Sequence, residues 1–119
     1  MFNYCPPKNI DDLKSQTLSD GKRYYTDGEE TFYYPSVTSV TGLLSSDQIK
    51  LWRKRVGEKE ANKISSQAAR RGTSVHKMCE DYINNIELNF SKMIPTDLEL
   101  FKIMQPVLDN AINNVYSQE

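Results

Sequence analysis

The sequence predicts a mostly α-helical fold with one N-terminal β-hairpin, and two patterns support this prediction. Residues 22–26 and 31–34 are rich in tyrosine and other β-prone types, and Asp27 and Gly28 between them favour a tight turn because glycine accepts positive φ. The later segments carry apolar residues at helical spacing. Since a two-stranded ribbon is marginal alone in water, we expect the hairpin to pack on helices or on a sheet that this chain does not supply.

Four helices are predicted, and each has its own start signal. Their ranges are residues 37–44, 48–70, 74–85 and 97–116. Ser36 is expected to cap the first helix, residues 45–47 the second and Thr73 the third. A capping box that begins at Thr96 opens the fourth. Gly72 is expected to end the second helix, because glycine favours the left-handed conformation that closes many helices.

The apolar positions of the last two helices predict the core. In the third helix they follow the i, i+3, i+4, i+7 pattern of a buried stripe, and they are Val75, Met78, Cys79, Tyr82, Ile83 and Ile86. The inward positions of the fourth helix are Phe101, Met104, Leu108, Ala111, Ile112 and Val115. Pro106 lies inside this helix and should kink it, because proline lacks the amide hydrogen of the helical ladder.

Length and composition indicate a soluble protein with a single core. The chain has 119 residues and a mean hydropathy of -0.65, and no apolar run approaches the roughly 20 residues that span a bilayer. Its first residues lack a secretory pattern, so Cys5 and Cys79 are expected to be free thiols in the cytoplasm. Residues 1–21 are predicted to form an irregular arm and residues 22–119 the folded portion.

Charge is distributed unevenly although the net charge is only -1. Residues 50–71 contain eight lysines and arginines and two glutamates, whereas the chain from Glu80 onward is acidic. A basic segment of this kind is typical of a phosphate-facing surface. The plainer interpretation is a solvated helix face, and charge alone favours it.

Aromatic residues cluster in the hairpin, and they admit two interpretations. Tyr24, Tyr25, Phe32, Tyr33 and Tyr34 are of the type that stacks on unpaired bases in single-strand binders. Cross-strand packing within the hairpin explains the same cluster and is the first interpretation.

His76, the only histidine, lies four residues before Glu80. That spacing places the two side chains on one helix face, and both types are competent metal ligands. Two ligands do not hold a divalent ion tightly, so a hydrogen bond on the helix surface is the simpler interpretation of the pair by itself.

Several motifs, in order, resemble those of a known nuclease family. They are Tyr34-Pro35-Ser36-Val37-Thr38, Leu51-Trp52-Arg53, and Gly72-Thr73-Ser74-Val75-His76 followed by Glu80. Together they resemble phage exonucleases related to the mitochondrial genome maintenance exonuclease, within the RecB-like PD-(D/E)XK nucleases. The resemblance covers residues 22–119 and implies that the chain is the helical front part of an α/β nuclease fold.

The resemblance also implies a role for the His76–Glu80 pair. In that family the helical histidine contributes to a Mg²⁺ or Mn²⁺ site, so His76 is the predicted metal ligand. His76 and its acidic partner Glu80 are the predicted catalytic residues. The candidate DNA contacts are Ser36, Thr38, Arg53, Arg55, Arg70, Arg71 and Thr73. Ordinary helix capping explains Ser36 equally well.

The remaining catalytic parts of that family are an acidic residue at a strand start and an Asp/Glu-x-Lys motif on the next strand, and neither is recognisable here. We therefore expect the N-terminal portion of an exonuclease domain, inactive alone, whose catalytic half comes from a second chain. The expected partners are DNA ends or single strands and that second chain or another copy, with no membrane. The alternatives are a non-catalytic DNA-binding or regulatory module and a helical protein-interaction module.

Overall fold

The computed structural model describes residues 1–7 and 13–118, and in these ranges the fold is mostly helical. The helices are α1 (Val37–Val56), α2 (Glu58–Ile83) and α3 (Pro95–Ala111), with a 3-10 turn at Phe90–Lys92. The strands are β1 (Asn3–Tyr4), β2 (Lys14–Thr17), β3 (Arg23–Thr26), β4 (Tyr33–Pro35) and β5 (Asn114–Val115). The described chain divides into two units, residues 13–61 and residues 1–7 with 62–118. Residues 8–12 of the predicted arm and residue 119 lie outside the described residues.

The unit of residues 13–61 contains the predicted hairpin, formed by β3 and β4. A third strand, β2, pairs antiparallel with β3 and gives the order β2-β3-β4. The arm predicted as irregular is therefore partly a strand. The side chains of β2 are all exposed, so β2 has no alternation of apolar and polar residues that would have predicted it. In the β3–β4 loop, the Asp27 carbonyl accepts from the Glu30 amide at 3.1 Å. Positive φ occurs at Glu30 (54°) and not at the predicted Gly28.

Helix α1 begins as predicted and then continues past the predicted break. The Ser36 hydroxyl accepts from the Ser39 amide at 3.2 Å, which confirms the cap. The second cap at residues 45–47 is wrong, because the Ser46 hydroxyl bonds back to the Leu43 carbonyl at 3.4 Å and the helix runs on. It ends at Gly57, whose φ of 94° only glycine adopts readily.

Helix α2 is continuous through the point where the sequence predicted two helices. Gly72 and Thr73 lie in its interior, so the predicted stop and cap are both wrong. The break occurs earlier, at Gly57, between basic residues in the last turn of α1 and acidic residues in the first turn of α2. Those charges complement the two helix dipoles. Asn85, with φ of 59°, follows the end of α2 near the predicted boundary.

Helix α3 starts slightly earlier and ends earlier than predicted. Its first residue is Pro95, and Ile94 precedes it without a side-chain cap. Proline at the first position fixes φ and has no amide that needs a partner, so the capping box at Thr96 does not form. Pro106 lies inside the helix, as predicted. The end at Ala111 frees the following residues to form β5.

The terminal strand has a partner within the described chain. β5 pairs in parallel with β1, in the register Asn3↔Asn114 and Tyr4↔Val115. The Cys5 amide donates to the Val115 carbonyl at 2.6 Å and extends this ladder. Part of the N-terminal arm therefore pairs with residues that were predicted to belong to the last helix.

Aromatic rings form the core of the unit of residues 1–7 and 62–118. Tyr82 of α2 meets Phe2 edge-on at 5.2 Å and Phe101 of α3 at 5.6 Å between ring centroids. Phe101 is fully buried and Met78 nearly so, which confirms the centre of both predicted stripes. Ile86 is an exception, because it lies beyond the end of α2 and is exposed.

The inward face predicted for the last helix is also only partly observed. Leu108 and Ile112 are partly buried and Val115 is buried, whereas Met104 and Ala111 are exposed. In residues 1–7 and 13–118, no helix has the length and apolar character needed to cross a membrane.

Candidate nucleic-acid interface

Helix α2 presents a basic face opposite its packed face. Lys63, Arg70 and Lys77 recur every seven residues, so they lie within about 20° per heptad of one line along the helix. Val75 and Cys79, both partly buried, lie on the opposite side at 3.6 residues per turn. At 1.5 Å per residue the basic line is about 21 Å long. The amphipathic pattern therefore aims this line at solvent.

The cations on α2 differ in their partners. Lys77 forms ion pairs with Glu80 at 3.2 Å and Asp81 at 2.9 Å. These contacts raise the pKa of Lys77, the Asp81 carboxylate having the largest effect. Lys63, Arg70 and Arg71 are exposed, and within residues 1–7 and 13–118 none of them forms an ion pair. Two of the predicted DNA contacts, Arg70 and Arg71, are therefore available to an anion.

Thr73 lies three residues after Arg70 on the same helix and is exposed. Residues three apart on a helix are neighbours, so the Thr73 hydroxyl and the Arg70 guanidinium share one surface. The continuity of α2 through Gly72 brings them together; with a helix end at Gly72 they would belong to different elements.

Arg53 and Arg55 of α1 are in different situations. The Arg53 guanidinium donates to both carboxylate oxygens of Glu58, at 2.6 and 3.3 Å. This contact holds the pKa of Glu58 below its usual value and raises that of Arg53. A phosphate at Arg53 would compete with Glu58, whereas Arg55 is exposed without an ion pair to a described residue.

Ser36 and Thr38 lie at the start of α1, where the predicted phosphate contact would be. Ser36 is only 2% exposed. Its hydroxyl caps the helix and lies 2.8 Å from the Ser39 hydroxyl and 3.2 Å from that of Thr38. The geometry of Ser36 therefore fits helix capping and not a phosphate contact. Thr38 is exposed, so its hydroxyl can reach a ligand.

The predicted metal ligand His76 and its acidic partner Glu80 lie on α2, one turn apart. His76 is exposed, and the Glu80 carboxylate accepts from the Lys77 ammonium at 3.2 Å. Among the described residues, no hydrogen bond joins His76 to Glu80, and no group of three or more His, Cys, Asp or Glu side chains is placed to hold a metal ion. The pair alone offers two of the ligands that a Mg²⁺ or Mn²⁺ ion needs.

Cys79 belongs to the packed side of α2. Burial raises the pKa of its thiol, which disfavours the reactive thiolate. This agrees with its interpretation as a small core residue.

The structure defines two exposed surfaces that the sequence indicated only in part. One is an apolar row on α1 formed by Val37, Val40, Leu44 and Leu51, which are 53–88% exposed. The helical spacing of these residues predicted a helix, and the predicted core included only the last two helices. The other is one face of the β2-β3-β4 sheet, whose open rings could not be assigned without the strand register.

Comparison of the chain with protein-family models, with curated proteins and with solved structures found no match. The resemblance to RecB-like PD-(D/E)XK nucleases therefore stays a prediction that rests on the sequence motifs.

Proposed function

We propose that this chain is the DNA-binding and partial metal-binding portion of a metal-dependent exonuclease of the RecB-like PD-(D/E)XK type. In this proposal α2 contacts the DNA phosphates. The observation that supports it most directly is the set of exposed cations on α2, namely Lys63, Arg70 and Arg71, which form no ion pair with another described residue. Because no described carboxylate pairs with them, a phosphate can take the place of the solvent ions around these cations.

The expected energetics follow from counterion release. Each phosphate contact steepens the salt dependence of binding by about 0.9 on a log–log plot for duplex DNA, and by about 0.7 for a single strand. Arg70 and Arg71 together should therefore account for a slope of about 1.8 on duplex DNA. Lys77 should add less, because Glu80 and Asp81 already neutralise it.

Fluorescence anisotropy with labelled DNA over a salt series tests this proposal. The double variant Arg70→Gln with Arg71→Gln should bind more weakly, with a slope shallower by about two contacts. The matched control is the double variant Lys92→Gln with Lys102→Gln. It removes the same number of positive charges from the acidic part of the chain, from Glu80 onward, and should leave the affinity and the salt slope unchanged. Equal effects of both double variants, or no binding by the wild type, would contradict the proposal.

The metal-binding part of the proposal concerns His76 and Glu80. The two would contribute ligands to a Mg²⁺ or Mn²⁺ ion, which in a complete site activates water for phosphodiester hydrolysis. The remaining carboxylates and the lysine would come from a second polypeptide. Nuclease activity that appears only with that polypeptide, and is lost in His76→Ala, would favour this over a non-catalytic DNA-binding or regulatory module.

A second candidate function, binding of a second protein chain, is favoured by the apolar row on α1. Val37, Val40, Leu44 and Leu51 follow the spacing i, i+3, i+7 and i+14, which is the pattern of one helix face that packs on another helix. Asp47 lies on the same face, so a parallel copy of α1 would oppose two carboxylates. The row therefore fits an apolar helix of a different chain better than a parallel dimer.

Mass measurement in solution, alone and with the candidate polypeptide, tests this second function. Leu44→Glu should abolish assembly because it places a charge in the middle of the row. Ile49→Glu is the control, since Ile49 is also exposed but lies on the other side of α1. Assembly that tolerates Leu44→Glu, or a monomer that ignores the polypeptide, would remove the row as an interface.

A further inference from the structure

The β2-β3-β4 sheet has two different faces. Tyr25 is the register partner of Tyr34, so their side chains lie on the same face. Successive residues of a strand alternate between faces, which adds Arg23 of β3 to that face. The other face has Thr26 and its partner Tyr33. Thr26 is only 3% exposed, although its partner Tyr33 is 41% exposed. We call this face, which holds the most buried residue of the sheet, the inner face and the Tyr25–Tyr34 face the outer face.

Aromatic rings on the outer face are open to solvent. Tyr34 is 50% exposed and Phe32, two residues before it, is 59% exposed. Their ring centroids are 6.4 Å apart with an interplanar angle of 33°. The guanidinium of Arg23 lies over the partly buried ring of Tyr25, at 5.6 Å from its centroid. We call the side chains of Arg23, Tyr25, Phe32 and Tyr34 the ring face.

Three of the nearby carboxylates, those of Asp20, Asp27 and Glu30, are engaged away from the ring face. On the inner side, the Tyr24 hydroxyl donates to Asp20 at 2.8 Å and the Tyr33 hydroxyl to Glu30 at 3.4 Å. The Asp27 carboxylate accepts from the Thr31 amide at 2.8 Å and so closes the loop. The ring face therefore combines open rings with a cation.

The hydroxyls of the two tyrosines on the ring face are also open. Within residues 1–7 and 13–118, neither the Tyr25 nor the Tyr34 hydroxyl forms a hydrogen bond, in contrast to those of Tyr24 and Tyr33. Packing within the hairpin thus leaves the rings of Phe32 and Tyr34 at least half exposed, and it leaves the Tyr25 and Tyr34 hydroxyls without a partner among the described residues.

We propose that the ring face binds single-stranded DNA by stacking its unpaired bases on Phe32 and Tyr34, with Arg23 contacting the strand's phosphates. Open rings offer base stacking that any base sequence satisfies, and a neighbouring cation attracts the strand. A duplex conceals the faces of its bases, so this surface selects unpaired strands. The inference rests on the proposed DNA-binding function and adds the residues that would select a single strand over a duplex.

Anisotropy with a fluorescein-labelled oligo-dT of about 15 nucleotides, the upper range of such sites, tests the proposal, with a duplex of equal length beside it. Phe32→Ala and Tyr34→Ala should each weaken binding to oligo-dT about 5- to 150-fold and leave duplex binding unchanged. Tyr34→Phe and Phe32→Tyr keep the rings and should retain affinity. Tyr33→Ala is the matched control, since Tyr33 lies between them in sequence and on the inner face.

Nuclear magnetic resonance on the unmodified protein keeps the test valid if a variant fails to fold. Oligo-dT should shift the ring signals of Phe32 and Tyr34 and leave those of Tyr33 unchanged. Unshifted ring signals, or equal losses from Tyr33→Ala and Tyr34→Ala, would overturn the proposal. Tighter binding to oligo-rU of the same length would overturn the assignment to DNA.

The outcomes separate this inference from the proposed role of α2. Binding that depends on Arg70 and Arg71 but not on Phe32 and Tyr34 would overturn the ring face and retain the α2 proposal. Oligo-dT binding that depends on the rings but not on those arginines would do the reverse. Absence of all DNA binding would overturn both.

Discussion

Replacing Gly72 by alanine is expected to stabilise the protein, because Gly72 lies inside α2 with a helical backbone. Glycine in a helix interior is about 0.8–1.0 kcal/mol less favourable than alanine. Outside its chain neighbours and the adjacent helix backbone, a Cβ atom added at Gly72 would have no atom within 4 Å, so no steric penalty from packing offsets that gain. The free energy of unfolding should therefore rise by nearly the full amount.

The sign of this change separates two structures. If Gly72 ended a helix in the left-handed conformation, alanine would be strained there and the protein would lose stability. Gly57 provides the matched control, because its φ is 94°. Gly57→Ala should cost about 1–3 kcal/mol, although space for a Cβ is equally open there.

Urea denaturation followed by circular dichroism measures both variants. For a small protein the denaturant slope is about 1–3 kcal/mol per molar urea, so Gly72→Ala should raise the midpoint by roughly 0.5 M. A lower midpoint, or shifts of the same sign for Gly57→Ala and Gly72→Ala, would refute the continuous helix. Either result would also place Arg70 and His76 on different helices, and the two residues would then not share the α2 surface.

Three further predictions concern the core, pH and chemistry. Phe101→Ala should destabilise by about 3–5 kcal/mol, since Phe101 is fully buried among other rings; a loss below 1 kcal/mol in urea denaturation would contradict that core. The Lys22 amide donates to Asp20 and lowers its pKa. The ionised Asp20 carboxylate therefore stabilises the folded protein. Its contribution is complete above the pKa that Asp20 has in the unfolded chain, and it is lost as pH falls through the lower pKa that Asp20 has in the folded protein. Asp20→Asn should therefore reduce the loss of stability in acid, which denaturation at several pH values measures. With Mg²⁺ or Mn²⁺ the chain alone should not cleave DNA, because His76 and Glu80 provide two ligands; metal-dependent cleavage that His76→Ala abolishes would disprove this.

Much of the local structure was predictable because the causes are local. The cap at Ser36 depends on residues within one turn, and the stripe centred on Met78 follows from helical spacing. The candidate residues on α1 and α2 were also identified as types, since charge and motif are properties of sequence. Their partners were not: Arg53 is engaged by Glu58 across the Gly57 break, whereas Arg70 has no ion pair among the described residues.

Helix boundaries were less predictable because competing signals differ by only small energies. Residues 45–47 and Thr73 are good caps, and Gly72 is a good stop, yet all lie inside helices. Each local preference is about 1 kcal/mol, which the surrounding structure overrides. The actual break needed a left-handed residue, and Gly57 adopts that conformation.

The sequence by itself determined a mostly helical chain, a β-hairpin and the amphipathic character of α2, because these depend on residues a few positions apart. Only the tertiary structure decided that Asn3 pairs with Asn114, 111 positions away, and that the hairpin acquires a third strand. It also decided which tyrosine rings lie outward, since strand register assigns every side chain to one face or the other. Contacts between distant segments leave no periodic signal in either segment, and for that reason they appear only in the fold.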